Sequence, residues 1–362
     1  MSMPSAMSVT QLRNAASPDF RTFWAAGRLV RRDQAARNYA PFAPAINQRE
    51  TGVRTERWYY PPPTLLIMPL TTLGGFRAGF AVWTVSLMLL GVLLLRWAGV
   101  PWAPIGLGLL SPASLWSFNL GQLGFCTGAA FFAALLMIDR QPRRAGALIG
   151  ALILKPQAAL ISPFLLLAIR RYRSFLAASM LVIGLAVLTT WAFGWSIWQD
   201  FLGAGLESQR HILLAPFPAR GQIWGASIFW MLRSFRLPIL VSAIGQGIGA
   251  IGAVVWAIRV WRDERMDHLA KVACMMCLTL LLTPYGYTDD LCGYSLAIFS
   301  LVWRRRQLDI ADVALVMWPA VCPYVSIFLH AEITPIFIVW AALRARREGL
   351  TPSGALALPV AA

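Results

Sequence analysis

Apolar runs of roughly helix length recur between residues 76 and 343, and what separates them is almost always arginine. About 20 consecutive apolar residues span the hydrocarbon of a bilayer as a helix. The candidate spans are 76–95, 101–118, 121–138, 174–194, 238–258, 269–286, 290–303, 310–329 and 332–343, several of them shorter than a full crossing. Only 13% of the 362 residues are charged, while 58% are hydrophobic. A soluble chain carries about 25% charged residues, and two or three soluble domains with half that charge would leave their apolar surface uncovered. A polytopic membrane protein is the class that remains. The 16 tryptophans suit its interfacial belts.

The net charge of +16 rests on arginine, because Lys155 and Lys271 are the only lysines. In a soluble chain such a charge points to nucleic acid. Here the basic residues sit in short clusters between apolar runs, so they report topology and no nucleic-acid partner is expected. The clusters are Arg96, then Arg140, Arg143 and Arg144, then Arg170, Arg171 and Arg173. Arg259, Arg262 and Arg265 follow, then Arg304, Arg305 and Arg306, and last Arg344, Arg346 and Arg347. All of them fall in the cytoplasm, as the positive-inside bias requires, if residues 145–169 enter and leave the membrane by one face. That segment, AGALIGALILKPQAALISPFLLLAI, has basic clusters at both ends and Lys155–Pro156 in its middle. Ten helical residues reach about 15 Å, half a bilayer, and the proline favours a break. The expected fold is therefore all-α, a polytopic transmembrane helical bundle with a re-entrant pair of half-helices. A single kinked span is the alternative.

The opposite face then collects residues 1–75, a turn around Asn119–Gln122, a loop over 195–237, and turns around Tyr285–Asp290 and His330–Glu332. The stretch Gly221–Phe235 reads as an interfacial amphipathic helix, and residues 351–362 as a disordered tail. Nothing apolar precedes residue 64, so about 75 residues with nine arginines must cross without a leading span. A first membrane helix is expected ahead of this segment, with residues 1–16 poorly ordered beside an unfilled groove. The five cysteines, including the pair Cys274 and Cys277, lie in apolar stretches without histidines and read as buried small hydrophobes. No metal or cofactor is expected.

Ionisable groups inside or at the outer surface of a membrane are functional candidates. Asp19, in SPDFRTFWAAGR, is either a helix N-cap or an acid held near an apolar surface, and both roles can coexist. Lys155 needs a partner, because an unpaired ammonium in an apolar segment is costly: a structural carboxylate, or a phosphate of a lipid or substrate. Gln157 and Gln122 add uncharged donors at depth. Asp289 and Asp290 form a solvated turn, a cap or part of a site. His211 beside Arg210 binds phosphate or is an ordinary loop residue. The run YYPPPT, from Tyr59 to Thr64, cannot be a helix interior and leads stiffly into a half-helix over 64–73.

These runs together resemble glycosyltransferase family 87, membrane enzymes of the GT-C fold that include polyprenyl-phosphate-mannose-dependent α-mannosyltransferases. The matching pieces are DFRTFWAAGRLV (19–30), YYPPPTLLIMPL (59–70), Gly121-Gln122, AGALIGALILKPQAAL (145–160), IRRYRSF, FGWSIWQDFL (193–202) and TPYGYTDDL (283–291). The resemblance implies a hexosyltransferase that moves a hexose such as mannose from a polyprenyl-phosphate donor to a lipid or glycan acceptor. It places the enzyme in the inner (plasma) membrane, with its site facing the periplasm or exterior, in cell-envelope synthesis. Asp19 occupies the position of the catalytic base. Lys155, Gln157, Gln122, Tyr60, Arg210, His211 and Asp290 are the expected donor-phosphate and substrate contacts. The family pattern also puts a membrane helix before the DF motif, and an aromatic where Asp289 stands. A multi-span transporter or lipid flippase is the rival class; it accounts for a midplane lysine, but not for long outer segments without two pseudo-symmetric halves.

Overall fold

The computed structural model describes residues 18–51, 55–219 and 221–350. The expectations for residues 1–16 and for the tail 351–362 lie outside the described residues.

Helix α1 (Pro18–Val30) buries Phe20, Phe23, Trp24 and Ala26 in an aromatic core shared with Trp58, Leu65, Met68 and Trp83. A Cβ on Gly27 would lie 2.3 Å from the Met68 carbonyl oxygen, so α1 rests directly on the backbone of residues 68–71. Beyond α2 (Ala43–Thr51), the expected half-helix over 64–73 is two 3₁₀ turns, Pro62–Leu66 and Met68–Thr72. Prolines 61–63 and Pro69 supply no amide hydrogens there, so only short tight turns can form.

Helix α3 (Gly75–Trp97) turns Val82, Val85, Leu89, Leu90 and Leu93 outward and buries Gly79, Trp83, Gly91 and Leu95. Such an apolar outer face fits lipid and not water. The expected span 101–118 breaks into α4 (Trp102–Leu109) and α5 (Pro112–Leu120). Pro112 cannot continue the helix, and the Ser111 side chain accepts the Ser114 amide to start α5 afresh. Helix α6 (Gly124–Met137) is buried almost all round and forms the axis of the bundle.

The segment after α6 is the re-entrant pair. Helix α7 (Pro142–Ala151) and a 3₁₀ turn, Leu152–Leu154, descend to Lys155; a second 3₁₀ turn, Pro156–Ala159, and α8 (Ser162–Ala168) return. An ion pair between Arg171 and Asp139 joins the two ends of the excursion, which excludes the single kinked span. Cβ atoms on Gly146 and Gly150 would lie 2.2 and 2.6 Å from the carbonyl oxygens of Ser174 and Ala178. The small residues thus let α7 meet the backbone of α9 (Tyr172–Phe193), a packing mode of membrane helices.

Helices α10 (Ser196–Asp200) and α11 (Leu206–Leu214) lead into a loop, and α12 (Ile228–Ser234) follows, capped by Ser227. The single amphipathic helix expected over 221–235 is thus a 3₁₀ turn at Gln222–Trp224 and a shorter helix. The buried Gln222 amide fixes this loop by bonding the carbonyls of Ile212 and Ala215. The bundle is completed by α13 (Ile239–Arg262), α14 (His268–Leu278), α15 (Cys292–Arg305), α16 (Ile310–Phe328) and α17 (Thr334–Leu350). Among the described residues, α3, α9, α13 and α16 are the four helices long and apolar enough to cross a membrane. Cys274 and Cys277 are buried in α14, packed as small apolar side chains.

All basic clusters gather at one end of the bundle. There Arg304 pairs with Asp267, Arg305 with Asp312 and Glu348, and Arg344 with Asp309 and Asp312. Helices α3, α6, α14 and α16 each run between this basic end and an opposite end, where a large cavity opens.

Candidate active site

Three segments far apart in sequence converge at that opposite end. Gly121, at φ +70°, ends α5 in a left-handed turn, and a Cβ there would lie 2.7 Å from the Phe20 Cβ. The turn therefore sits against α1, one residue from Asp19. From it the Gln122 Nε2 donates to Asp19 Oδ2 at 2.8 Å, while the Tyr60 hydroxyl donates to Gln122 Oε1 at 2.7 Å. Tyr60 is held in turn by the Tyr39 hydroxyl, which donates to its carbonyl at 2.9 Å. Asp19 lies in the first turn of α1, yet among the described residues its carboxylate bonds Gln122 and not an amide of its own helix. The N-cap reading is set aside. Burial pushes the Asp19 carboxyl up to about 6, against the pull of the Gln122 hydrogen bond; Asp289 raises it further, Lys155 lowers it and Glu56 raises it.

Lys155, at the apex of the re-entrant pair, is 2% exposed and already partnered. Its Nζ lies 2.7 Å from Asp289 Oδ2 and 2.6 Å from Asp290 Oδ1. The carboxylate alternative is the one realised, so Lys155 is not a free cation waiting for phosphate. The acids come from the 3₁₀ turn Thr288–Leu291, whose start is capped by the Tyr287 amide donating to Asp290 Oδ2 at 3.0 Å. The Thr64 hydroxyl donates to the Leu154 carbonyl at 2.8 Å and ties the proline-rich stretch to the same apex.

These groups line a cavity of about 2350 Å³. Of the expected site residues, Asp19, Tyr60, Gln122, Lys155, Gln157 and His211 are on its wall. Two are not. Arg210 points outward, 69% exposed, with Glu207 3.8 Å away. Asp290 stands behind Lys155, its side chain 4% exposed, and Asp289 takes the place on the wall. Arg210 and His211 leave α11 about 100° apart, and His211, also exposed, lies 3.4 Å from the same Glu207 while reaching the cavity rim. Asp289 and Asp290 both turn toward Lys155, and only Asp289 also reaches the cavity.

The wall also holds residues that the sequence reading did not single out. Arg57 lines the cavity and donates to Ser208 Oγ at 3.4 Å; its place just before the stiff YYPPPT run was the available signal. Arg21 lines it as well. The rest is largely apolar, from Phe76 and Leu160 through Ile212 and Ile223 to Pro323 and Ile327 on α16. The cavity thus joins a half-buried carboxylate able to accept a proton, cations suited to an anionic leaving group, and a long apolar wall.

The sequence model of Glycosyltransferase family 87 matches residues 58–284, well over half of the chain. The match takes in Tyr60, Gln122, Lys155, Gln157 and His211, while Asp19 and Asp289 lie outside it. No curated protein and no solved structure matches the chain. With its all-helical membrane bundle and its cavity at one end, the chain belongs to glycosyltransferase family 87, a family of GT-C-type membrane glycosyltransferases.

Proposed function

We propose that this glycosyltransferase moves a hexose, such as mannose, from a polyprenyl-phosphate donor to a lipid or glycan acceptor, with inversion and with Asp19 as base. The observation that carries this reading is the Asp19 carboxylate on the wall of a large cavity that is apolar along one side and cationic on another. A lipid-phosphate sugar has the same division: an apolar chain, an anionic phosphate and a polar ring. The apolar wall reaches α16, whose Phe328 and Ile327 are exposed on the outside of the bundle, so the lipid chain has a path from the membrane. On this reading the described parts of the first segment (18–51 and 55–74) and of the loop (195–219 and 221–237) roof the bundle, and the site faces the periplasm or exterior, with the basic end in the cytoplasm.

The step is a single displacement. The acceptor oxygen attacks the anomeric carbon and its proton passes to an Asp19 oxygen. The bond from the anomeric carbon to the phosphate oxygen breaks, and the electron pair leaves with the polyprenyl phosphate. A carboxyl pushed up to about 6 is a better proton acceptor than an ordinary one and is still ionised at neutral pH. Gln122 and Tyr60 hold it in place. Arg57 and Arg21 meet the phosphate as it gains charge, in a site where cations act more strongly than in water, and His211 at the rim offers a ring nitrogen for a hydrogen bond. Lys155 and Gln157 shape the floor on which the sugar phosphate rests. Transfer from radiolabelled polyprenyl-phosphate hexoses, with purified protein in detergent and a lipid-extract acceptor, tests the reading. Product from at least one such donor is expected. Transfer only from a nucleotide sugar overturns it.

A further inference from the structure

Two adjacent acids meet one lysine at the re-entrant apex, and they are not equivalent. Asp290 faces the protein interior: Oδ1 lies 2.6 Å from Lys155 Nζ in an ion pair but accepts no hydrogen bond among the described residues, Oδ2 accepts the Tyr287 amide at 3.0 Å, and the residue is not on the cavity wall. Asp289 is used by half. Its Oδ2 takes the second ion pair at 2.7 Å, while Oδ1 accepts no hydrogen bond among the described residues, and the residue lines the cavity. One ammonium thus serves two carboxylates at the apex, and Asp19 adds a third carboxylate on the same wall.

The position of Asp289 is stiff. A Cβ on Gly124 would lie 2.0 Å from the Asp289 carbonyl oxygen, so its turn is seated on the first turn of α6, and the Cys292 thiol donates to the same carbonyl at 3.1 Å. A fixed anionic acceptor beside a proton-accepting carboxylate repels a phosphate and suits hydroxyl groups.

We propose that Asp289 is the sugar-ring subsite of this enzyme: its free carboxylate oxygen accepts a hydrogen bond from a ring hydroxyl of the transferred hexose, and the Lys155 ammonium holds it in that pose. This rests on the proposed hexosyl transfer. It also orients the donor, with the ring toward the Lys155 apex and the phosphate toward Arg57 and Arg21.

Removing Asp289 leaves Lys155 neutralised by Asp290, so Asp289→Asn is expected to fold. The test crosses this variant with polyprenyl-phosphate hexoses deoxygenated at one ring position at a time. In the unmodified enzyme one deoxy donor is expected to lose on the order of 10- to 100-fold in kcat/KM, the loss for one hydrogen bond to a charged group. In Asp289→Asn the intact donor is expected to lose as much, and that deoxy donor no more than the intact one. Asp290→Asn, by contrast, lowers thermal stability and keeps the deoxy pattern of the unmodified enzyme. If Asp289→Asn answers every deoxy donor as the unmodified enzyme does, the subsite is overturned and hexosyl transfer stands. If no polyprenyl-phosphate hexose is used even by the unmodified enzyme, both readings fall. Should Asp289→Asn fail to fold, Asp289→Glu, which keeps the charge, is expected to change which deoxy donor is discriminated; failure of both variants to fold makes Asp289 structural and overturns the proposal.

Discussion

Asp19 holds its proton more tightly than an ordinary aspartate because burial outweighs the Gln122 hydrogen bond. Between the ordinary value of 3.8 and about 6, the folded protein binds a proton there that the unfolded chain releases. The contribution of this proton to stability is full below 3.8 and lost as pH rises through about 6. In the proposed role of base the sign is opposite, since a base works ionised. Turnover is therefore expected to rise with pH through an acid limb near 6. Gln122→Leu removes the bond that favours the ionised form, so the limb should move to higher pH; a pH–rate profile of that variant checks it, and a limb that moves down contradicts it. Lys155 answers to different physics. Lys155→Met leaves two buried carboxylates without a cation, which costs about 3–5 kcal/mol. Thermal melting in detergent is expected to show a large loss, restored in part when Asp290→Asn is added.

At the scale of elements, the glycines of α7 decide whether the re-entrant pair can form. Gly150→Val pushes a branched side chain into the Ala178 carbonyl, 2.6 Å from where its Cβ would stand. A loss of at least about 1–3 kcal/mol is expected, read as lower melting temperature, with the Lys155 apex displaced and activity falling with it. The re-entrant pair itself was legible, because a largely apolar segment of 25 residues with arginines at both ends and Lys-Pro in the middle has few other solutions in a bilayer. The break between α4 and α5 was written in Ser111-Pro112 but masked by the apolar residues around it. The partners of Lys155 were not legible, since Asp289 lies 134 residues away and only the packed bundle brings it near. The same holds for Asp19 and Gln122, 103 residues apart. Residue type identified both as candidates; only the left-handed Gly121 turn against Phe20 joined them.

Across the whole molecule, charge and cavity sit at opposite ends. The proposed orientation puts the basic end, with Arg304, Arg305 and Arg344 in ion pairs, in the cytoplasm. The native cysteines are all buried, so an added surface cysteine reports on its own side. A cysteine at Arg210 is expected to react with an impermeant maleimide added outside intact cells, and one at Arg347 only after lysis; the reverse pattern inverts the topology. The base, the cations and the apolar wall act together only if Asp19 takes the acceptor's proton. The direct measurement is the turnover of Asp19→Asn with a polyprenyl-phosphate hexose donor, at matched folded protein and pH 7.5 or so. Asparagine keeps the size and a hydrogen bond to Gln122 while losing the basicity. A fall in kcat on the order of 10²–10⁴, with loss of the acid limb, is expected; turnover near that of the unmodified enzyme contradicts Asp19 as the base.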